Sequence, residues 1–165
     1  MPFKKATKKQ LKLRMGIVAP AGGGKTYTAL AIARGLVGPE GRIALVDTEH
    51  RSAEKYADDF DFDVECLADN YAPARYVEKI QEAAAAGYDC VIIDSLTHAW
   101  AGPGGALEMV DDAARRAKGN SYVAWRAVTP EHNRLVTAML SAPIHVIATL
   151  RAKTEYVLET VGGKQ

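Results

Sequence analysis

The segment Ala19-Pro20-Ala21-Gly22-Gly23-Gly24-Lys25-Thr26 constrains what this chain can fold into more than any other stretch of it. A short apolar run, Met15–Ala19, leads into it, and helical spacing from Lys25 to Leu36 leads out. Three consecutive glycines let the backbone take positive φ and bring successive N–H groups around one point. The first turn of the following helix adds its partial positive charge at the same place. A strand, a glycine-rich turn and Lys-Thr opening a helix together match the phosphate-binding loop, with Ala19 in place of the usual first glycine. The nucleotide-binding residues expected from it are Ala21, Gly22, Gly23, Gly24, Lys25, Thr26 and Tyr27. Lys25 can neutralise the β- and γ-phosphates of ATP, and the Thr26 hydroxyl can ligate Mg²⁺.

Such a loop needs a parallel sheet with its helices alongside, and the rest of the chain supplies the pattern. Ile43–Val46, Val91–Ile93 and Ile144–Leu150 read as further buried parallel strands, with a weaker candidate at Phe62–Leu67. Helical spacing covers Ala72–Ala86, Gly105–Lys118 and Glu131–Ser141, the last with Thr129 as N-cap and Pro130 in its first turn. The Gly-Pro and Gly-Gly pairs at 38–41 and 102–105 mark surface loops. Alternating strands and helices over 165 residues predict one three-layer α/β/α domain with a mostly parallel central sheet.

Cys90-Val91-Ile92-Ile93-Asp94 is an apolar strand ending in an acid, which suits Asp94 to support the metal through its water shell. Hydrolysis also requires a group that orients or deprotonates water. In Val46-Asp47-Thr48-Glu49-His50 a second strand ends in carboxylates at that same edge. Glu49, just past the strand, is the candidate base. Asp47, still on the strand, is better suited to holding structure.

With these residues in hand, the sequence resembles the RecA-like ATPases across residues 11–153, most closely the small phage-type members linked to single-strand annealing. The carriers are the P-loop, Asp47-Thr48-Glu49-His50, Asp94-Ser95, and a strand ending Thr149-Leu150-Arg151-Ala152-Lys153. The stretches Ser95–Trp100 and Val128–Asn133 are similar to the same group. The resemblance implies that Glu49 activates water, that Tyr56 stacks on adenine, and that Thr149 senses the γ-phosphate, where RecA usually has Gln. It also implies a RecA-like sheet in which the 144–150 strand lies between the P-loop and Asp94 strands. Single-stranded DNA would bind through loops after the Asp94 and sensor strands, in a homo-oligomer. The resemblance leads one to expect another strand at Glu155–Val161.

Trp100 then offers a base-stacking face or packs beneath the glycine-rich 101–105 stretch. Arg151 and Lys153 reach either DNA or a neighbouring subunit's phosphate. Tyr122 and Trp125 read as core or interface residues. The net charge of +1 conceals a division: residues 1–36 carry eight cations and no acid, while Asp47–Glu65 carries eight acids against Arg51 and Lys55. A basic arm over 1–14 preceding a core over 11–165 can add phosphate contacts or remain a solvated terminus. Two cysteines make no disulfide framework, no apolar run approaches the roughly 20 residues of a membrane span, and the charged N-terminus lacks an export signal. The expected setting is the cytoplasm of a bacterial or phage-infected cell. A small-molecule or nucleotide kinase shares the P-loop and size and is the alternative reading.

Overall fold

The computed structural model describes residues 11–152. Its elements run β1 (Arg14–Ala19), α1 (Lys25–Val37), β2 (Ile43–Asp47), a 3-10 turn (Ser52–Tyr56), β3 (Asp63–Cys66), α2 (Pro73–Ala85), β4 (Cys90–Asp94), α3 (Thr97–Ala101), α4 (Ala106–Arg116), α5 (Ser121–Ser141) and β5 (His145–Arg151). The five strands form one all-parallel sheet in the order β1-β5-β4-β2-β3. Strand β5 therefore separates β1 from β4, the arrangement that the resemblance implied. Every residue of β4 is buried, because a central parallel strand is covered on both faces and carries a continuous apolar run.

Helices cover both faces. On one, Ala29, Leu30 and Ala33 of α1 pack on Ile43, Leu45, Ile92 and Ile147. On the other, Tyr76 and Ile80 of α2 and Leu135 of α5 pack on Val91, Ile93, Val146 and Ala148. Leu30, Ile92 and Ile147 are wholly shielded from solvent, each worth about 1.5–3 kcal/mol of burial. Parallel register then fixes the site. Asp47 lies beside Asp94, Ile93 beside Ala148, and Ala19 beside Arg151, so the ends of four strands come level at one edge.

The last helix departs from the sequence reading. Instead of starting at Glu131, α5 runs unbroken through Ser121–Ser141 with Pro130 inside it. Thr129 is no N-cap: its hydroxyl donates to the Trp125 carbonyl one turn back. The cap is Asn120, whose side chain accepts from the Val123 N–H. What holds the early turns is tertiary packing, since Ala124 and Val128 share a small separate core with Ala106 and Val110 of α4. That packing outweighs the break Pro130 would otherwise make.

Three further expectations change. Arg14 belongs to β1 rather than to a basic arm, and its guanidinium donates to the Ile144 carbonyl at 2.7 Å and to the carbonyls of Leu140 and Ala142. Gly102 and Gly105 are buried while Pro103 is exposed, and a Cβ at Gly105 would stand 2.7 Å from the His98 carbonyl, so the 102–105 turn lies on the surface only in part. Trp125 and Tyr122 are exposed, at 39% and 77%, which overturns the core half of the core-or-interface expectation. Residues 1–10 of the basic arm, Lys153 and the strand expected at 155–161 lie outside the described residues.

Candidate functional site

The glycine turn has a geometry that only its own residues permit. Gly22 and Gly24 sit at φ 76° and 73°, where a side chain costs about 1–2 kcal/mol. Gly23 is needed for space, because a Cβ there would meet Ala19 Cβ at 3.0 Å and the Pro20 carbonyl at 3.1 Å. No side chain caps α1 and no acid occupies its first turn, so the leading N–H groups are left for an anion. Lys25 is buried and its Nζ donates to the Pro20 carbonyl at 2.9 Å, which folds the ammonium over the turn. Ala21 stands exposed on the turn.

Beside it lies a connected set of oxygens. The Thr26 hydroxyl donates to Asp94 Oδ2 at 2.5 Å, and the Thr149 hydroxyl donates to Asp94 Oδ1. Asp94 and Thr149 are wholly buried, so each carboxylate oxygen is met by a hydroxyl on a neighbouring element. The Asp94–Ser95 peptide is cis. Among the described residues no group of three or more His, Cys, Asp and Glu is placed to hold a metal. One hydroxyl and one carboxylate suit a hard cation that keeps phosphate oxygens and waters as its other ligands, which is the habit of Mg²⁺.

The two acids at the end of β2, Asp47 on the strand and Glu49 just past it, make different contacts. Asp47 is fully buried, and its carboxylate accepts from the Glu49 N–H at 2.6 Å and the Ala53 N–H at 2.9 Å. It ties down the turn that carries Glu49 and holds the start of the 3-10 turn. Glu49 itself reaches across the sheet edge, where Arg151 Nε donates to Oε1 at 2.8 Å. That bond holds the Glu49 carboxyl below the usual carboxylate range, with Arg151, Lys25 and His98 adding charge, while burial pushes the other way. The Arg151 N–H is in turn held by the Thr97 hydroxyl at 2.8 Å.

Sequence reasoning missed the group that fixes β2 to β4. The Thr48 hydroxyl accepts from the Ser95 N–H at 2.7 Å and lies 2.6 Å from His98 Nδ1, and the Tyr71 ring tilts over the His98 imidazole. Burial, followed by the nearby Arg151 charge, lowers the His98 pKa. Tyr56 lies edge-on to Tyr27 at 5.7 Å, and Tyr27 edge-on to Phe60 at 5.1 Å, beside the turn. Phe60 was overlooked, although its spacing of four residues after Tyr56 was visible. Trp100 sits on α3, not in a loop, stacked on Trp125 at 5.8 Å with His132 edge-on at 5.6 Å.

A cradle for phosphates, an oxygen pair for a hard cation and a carboxylate at one sheet edge make a nucleotide site, and the comparison with known families agrees. A family model described as an AAA domain matches residues 11–165. The chain belongs to the AAA domain family. This is a P-loop NTPase family, and such domains bind nucleotide. No curated protein matches the chain. In this AAA domain the β1-β5-β4-β2 ends bring Lys25, Thr26, Glu49, Asp94, Thr149 and Arg151 together, while Trp100 stands on the neighbouring helix surface. Among the described residues no helix is long and apolar enough to cross a membrane.

Proposed function

We propose that this AAA domain hydrolyses ATP with Mg²⁺ and couples hydrolysis to binding single-stranded DNA as a homo-oligomer, in strand annealing or recombination. The observation that carries the hydrolytic reading is the placement of Glu49. It lies within reach of Lys25's charge, its backbone N–H is held by the Asp47 carboxylate, and its side chain accepts from Arg151. A carboxylate kept ionised there can take a proton from water attacking the γ-phosphate.

The other residues then have distinct tasks. The backbone of Gly22–Lys25 and the Lys25 ammonium bind and orient the phosphates. Thr26 and Asp94 would hold Mg²⁺, which supplies charge neutralisation on the phosphates when bound. Thr149 reads the γ-phosphate through its bond to the same Asp94, and because β5 continues into Arg151, a change at Asp94 is passed to the Glu49 pair. Tyr56, with Tyr27, flanks the adenine. Trp100 and Arg151 give the DNA reading its support, as an exposed indole and a cation at the nucleotide edge.

The test is steady-state hydrolysis with and without Mg²⁺ and with and without a poly-dT oligonucleotide, following where the γ-phosphate goes. Release as inorganic phosphate, faster with oligonucleotide, is the expected result. Hydrolysis unaffected by oligonucleotide at low salt would remove the DNA part, and transfer of phosphate to a small acceptor would replace the whole reading with the kinase.

A further inference from the structure

Arg151 stands between two clefts. On one side it lines the polar cleft of Thr48, Glu49, His50 and His98. On the other it lines an apolar cleft of about 540 Å³ between α3, α5 and the end of β5, walled by Trp100, His132, Val136, Met139 and Leu150. Within the guanidinium, Nε is taken by Glu49, and among the described residues no acceptor meets the two terminal nitrogens. One side chain thus ties the candidate base to the border of a second cleft.

The chemistry of that second cleft is specific. Its wall holds an exposed indole stacked on a second indole, with an imidazole edge-on, and its remaining lining is aliphatic apart from Thr97. A mostly apolar cavity of a few hundred Å³ with one charged group at its border suits a flat, apolar-faced body bearing a negative charge. A nucleobase with its phosphate has that form: the ring stacks, and the phosphate takes paired N–H donors from a guanidinium.

We propose that this cleft receives a base of a single-stranded nucleic acid, and that the adjoining phosphate draws Arg151 away from Glu49. The proposal rests on the readings of Glu49 as the hydrolytic base and of single-stranded DNA as the partner. Bonded to Arg151, the carboxylate has one oxygen occupied and is a weaker proton acceptor; released, it is free to meet water and more basic. The strand would then accelerate hydrolysis through Arg151, which acts as a positioning residue and touches neither water nor the transferred phosphate.

The chain's two tryptophans, Trp100 and Trp125, stack on one another and Trp100 lines the cleft, so tryptophan fluorescence reports on the cleft and the surface beside it. A poly-dT oligonucleotide added to the parent protein should quench it and raise ATP hydrolysis. Val136→Phe, which fills the cleft away from the nucleotide, should weaken oligonucleotide binding between about 5- and 150-fold, the range for one stacked base, and leave oligonucleotide-free hydrolysis unchanged. Circular dichroism shows whether that variant is folded, and Trp125→Phe, retaining quenching through Trp100, gives an independent check. Arg151→Ala should raise oligonucleotide-free hydrolysis roughly three- to fivefold, the scale of a partly exposed ion pair, and gain little more from oligonucleotide. The acid limb of its pH–rate profile should move toward neutrality because Glu49 has lost its cation, and Arg151→Lys should restore part of both effects.

If Arg151→Ala instead lowers hydrolysis with an unmoved acid limb, Arg151 serves the reaction directly and the proposal is overturned. Fluorescence that ignores oligonucleotide but changes with protein concentration assigns the cleft to a second copy of the chain, which also overturns it. These failures differ from failure of the underlying reading, in which Glu49→Gln would hydrolyse ATP as fast as the parent.

Discussion

Replacing Thr149 with valine tests the buried junction between β5 and Asp94. Thr149 and Asp94 are 0% and 1% exposed, so neither can turn to water when the bond between them is cut. Valine keeps the shape of threonine and puts a methyl where the hydroxyl donated. Asp94 Oδ1 then loses its donor, while Oδ2 keeps Thr26. A hydrogen bond to a carboxylate contributes about 1.5–3 kcal/mol, and leaving a buried acceptor unmet makes the upper half of that range the better figure. For a domain of this size each kcal/mol moves Tm by roughly 2–4 °C, so Thr149→Val should melt about 5–10 °C below the parent. Thr149→Ser restores the donor and removes one methyl, a loss of about 1 kcal/mol by burial, and should fall between the two. Thermal unfolding followed by circular dichroism gives both numbers. Thr149→Val melting with the parent while Thr149→Ser melts lowest would show that the residue is there to fill space, and the hydrogen-bonded account of the junction would be wrong.

Other outcomes follow from the same geometry. Lys25→Ala should reduce nucleotide affinity by at least about tenfold by titration calorimetry, since it removes charge-assisted contacts worth about 1.5–3 kcal/mol each, with Tm in the absence of nucleotide little changed. Asp47→Asn turns an amide N–H against one of the two backbone donors at Glu49 and Ala53, and should cost about 1–3 kcal/mol in urea unfolding. His145 accepts the Leu13 N–H at Nδ1, and burial lowers its pKa. The unfolded chain therefore takes up its proton first as pH drops below about 6.5, so stability present above that pH is lost on acidification. Tm should decline between pH 7 and 5.5, and less steeply in His145→Asn.

Much of the sheet edge was legible because its signals are local. Glycines before Lys-Thr, and apolar runs closed by Asp47 and Asp94, announce strand ends without knowledge of what packs on them. The β5 insertion between β1 and β4 followed from resemblance, since periodicity says nothing of strand order. The first half of α5 was not legible: Thr129-Pro130 carries every local mark of a helix start, and only the contact of Ala124 and Val128 with α4 shows otherwise. The structural role of Asp47 was legible from its place on the strand, and its carboxylate accepts from the Glu49 and Ala53 N–H groups. The bond from Arg151 to Glu49 spans 102 positions, and no spacing rule reaches that far. The exposure of Tyr122 and Trp125 escaped for the same reason, because aromatic residues on a helix look alike until the opposite face is known.

The central claim is that Glu49 is the proton acceptor for hydrolysis in a site where Lys25, Thr26 and Asp94 hold the nucleotide. Measuring ATP binding and turnover of Glu49→Gln side by side tests it most directly. The amide preserves the shape and can still accept from Arg151, so Mg²⁺-dependent binding should match the parent while hydrolysis slows at least about a hundredfold, the scale of a lost general base. Turnover at the parent rate with intact binding would contradict the claim.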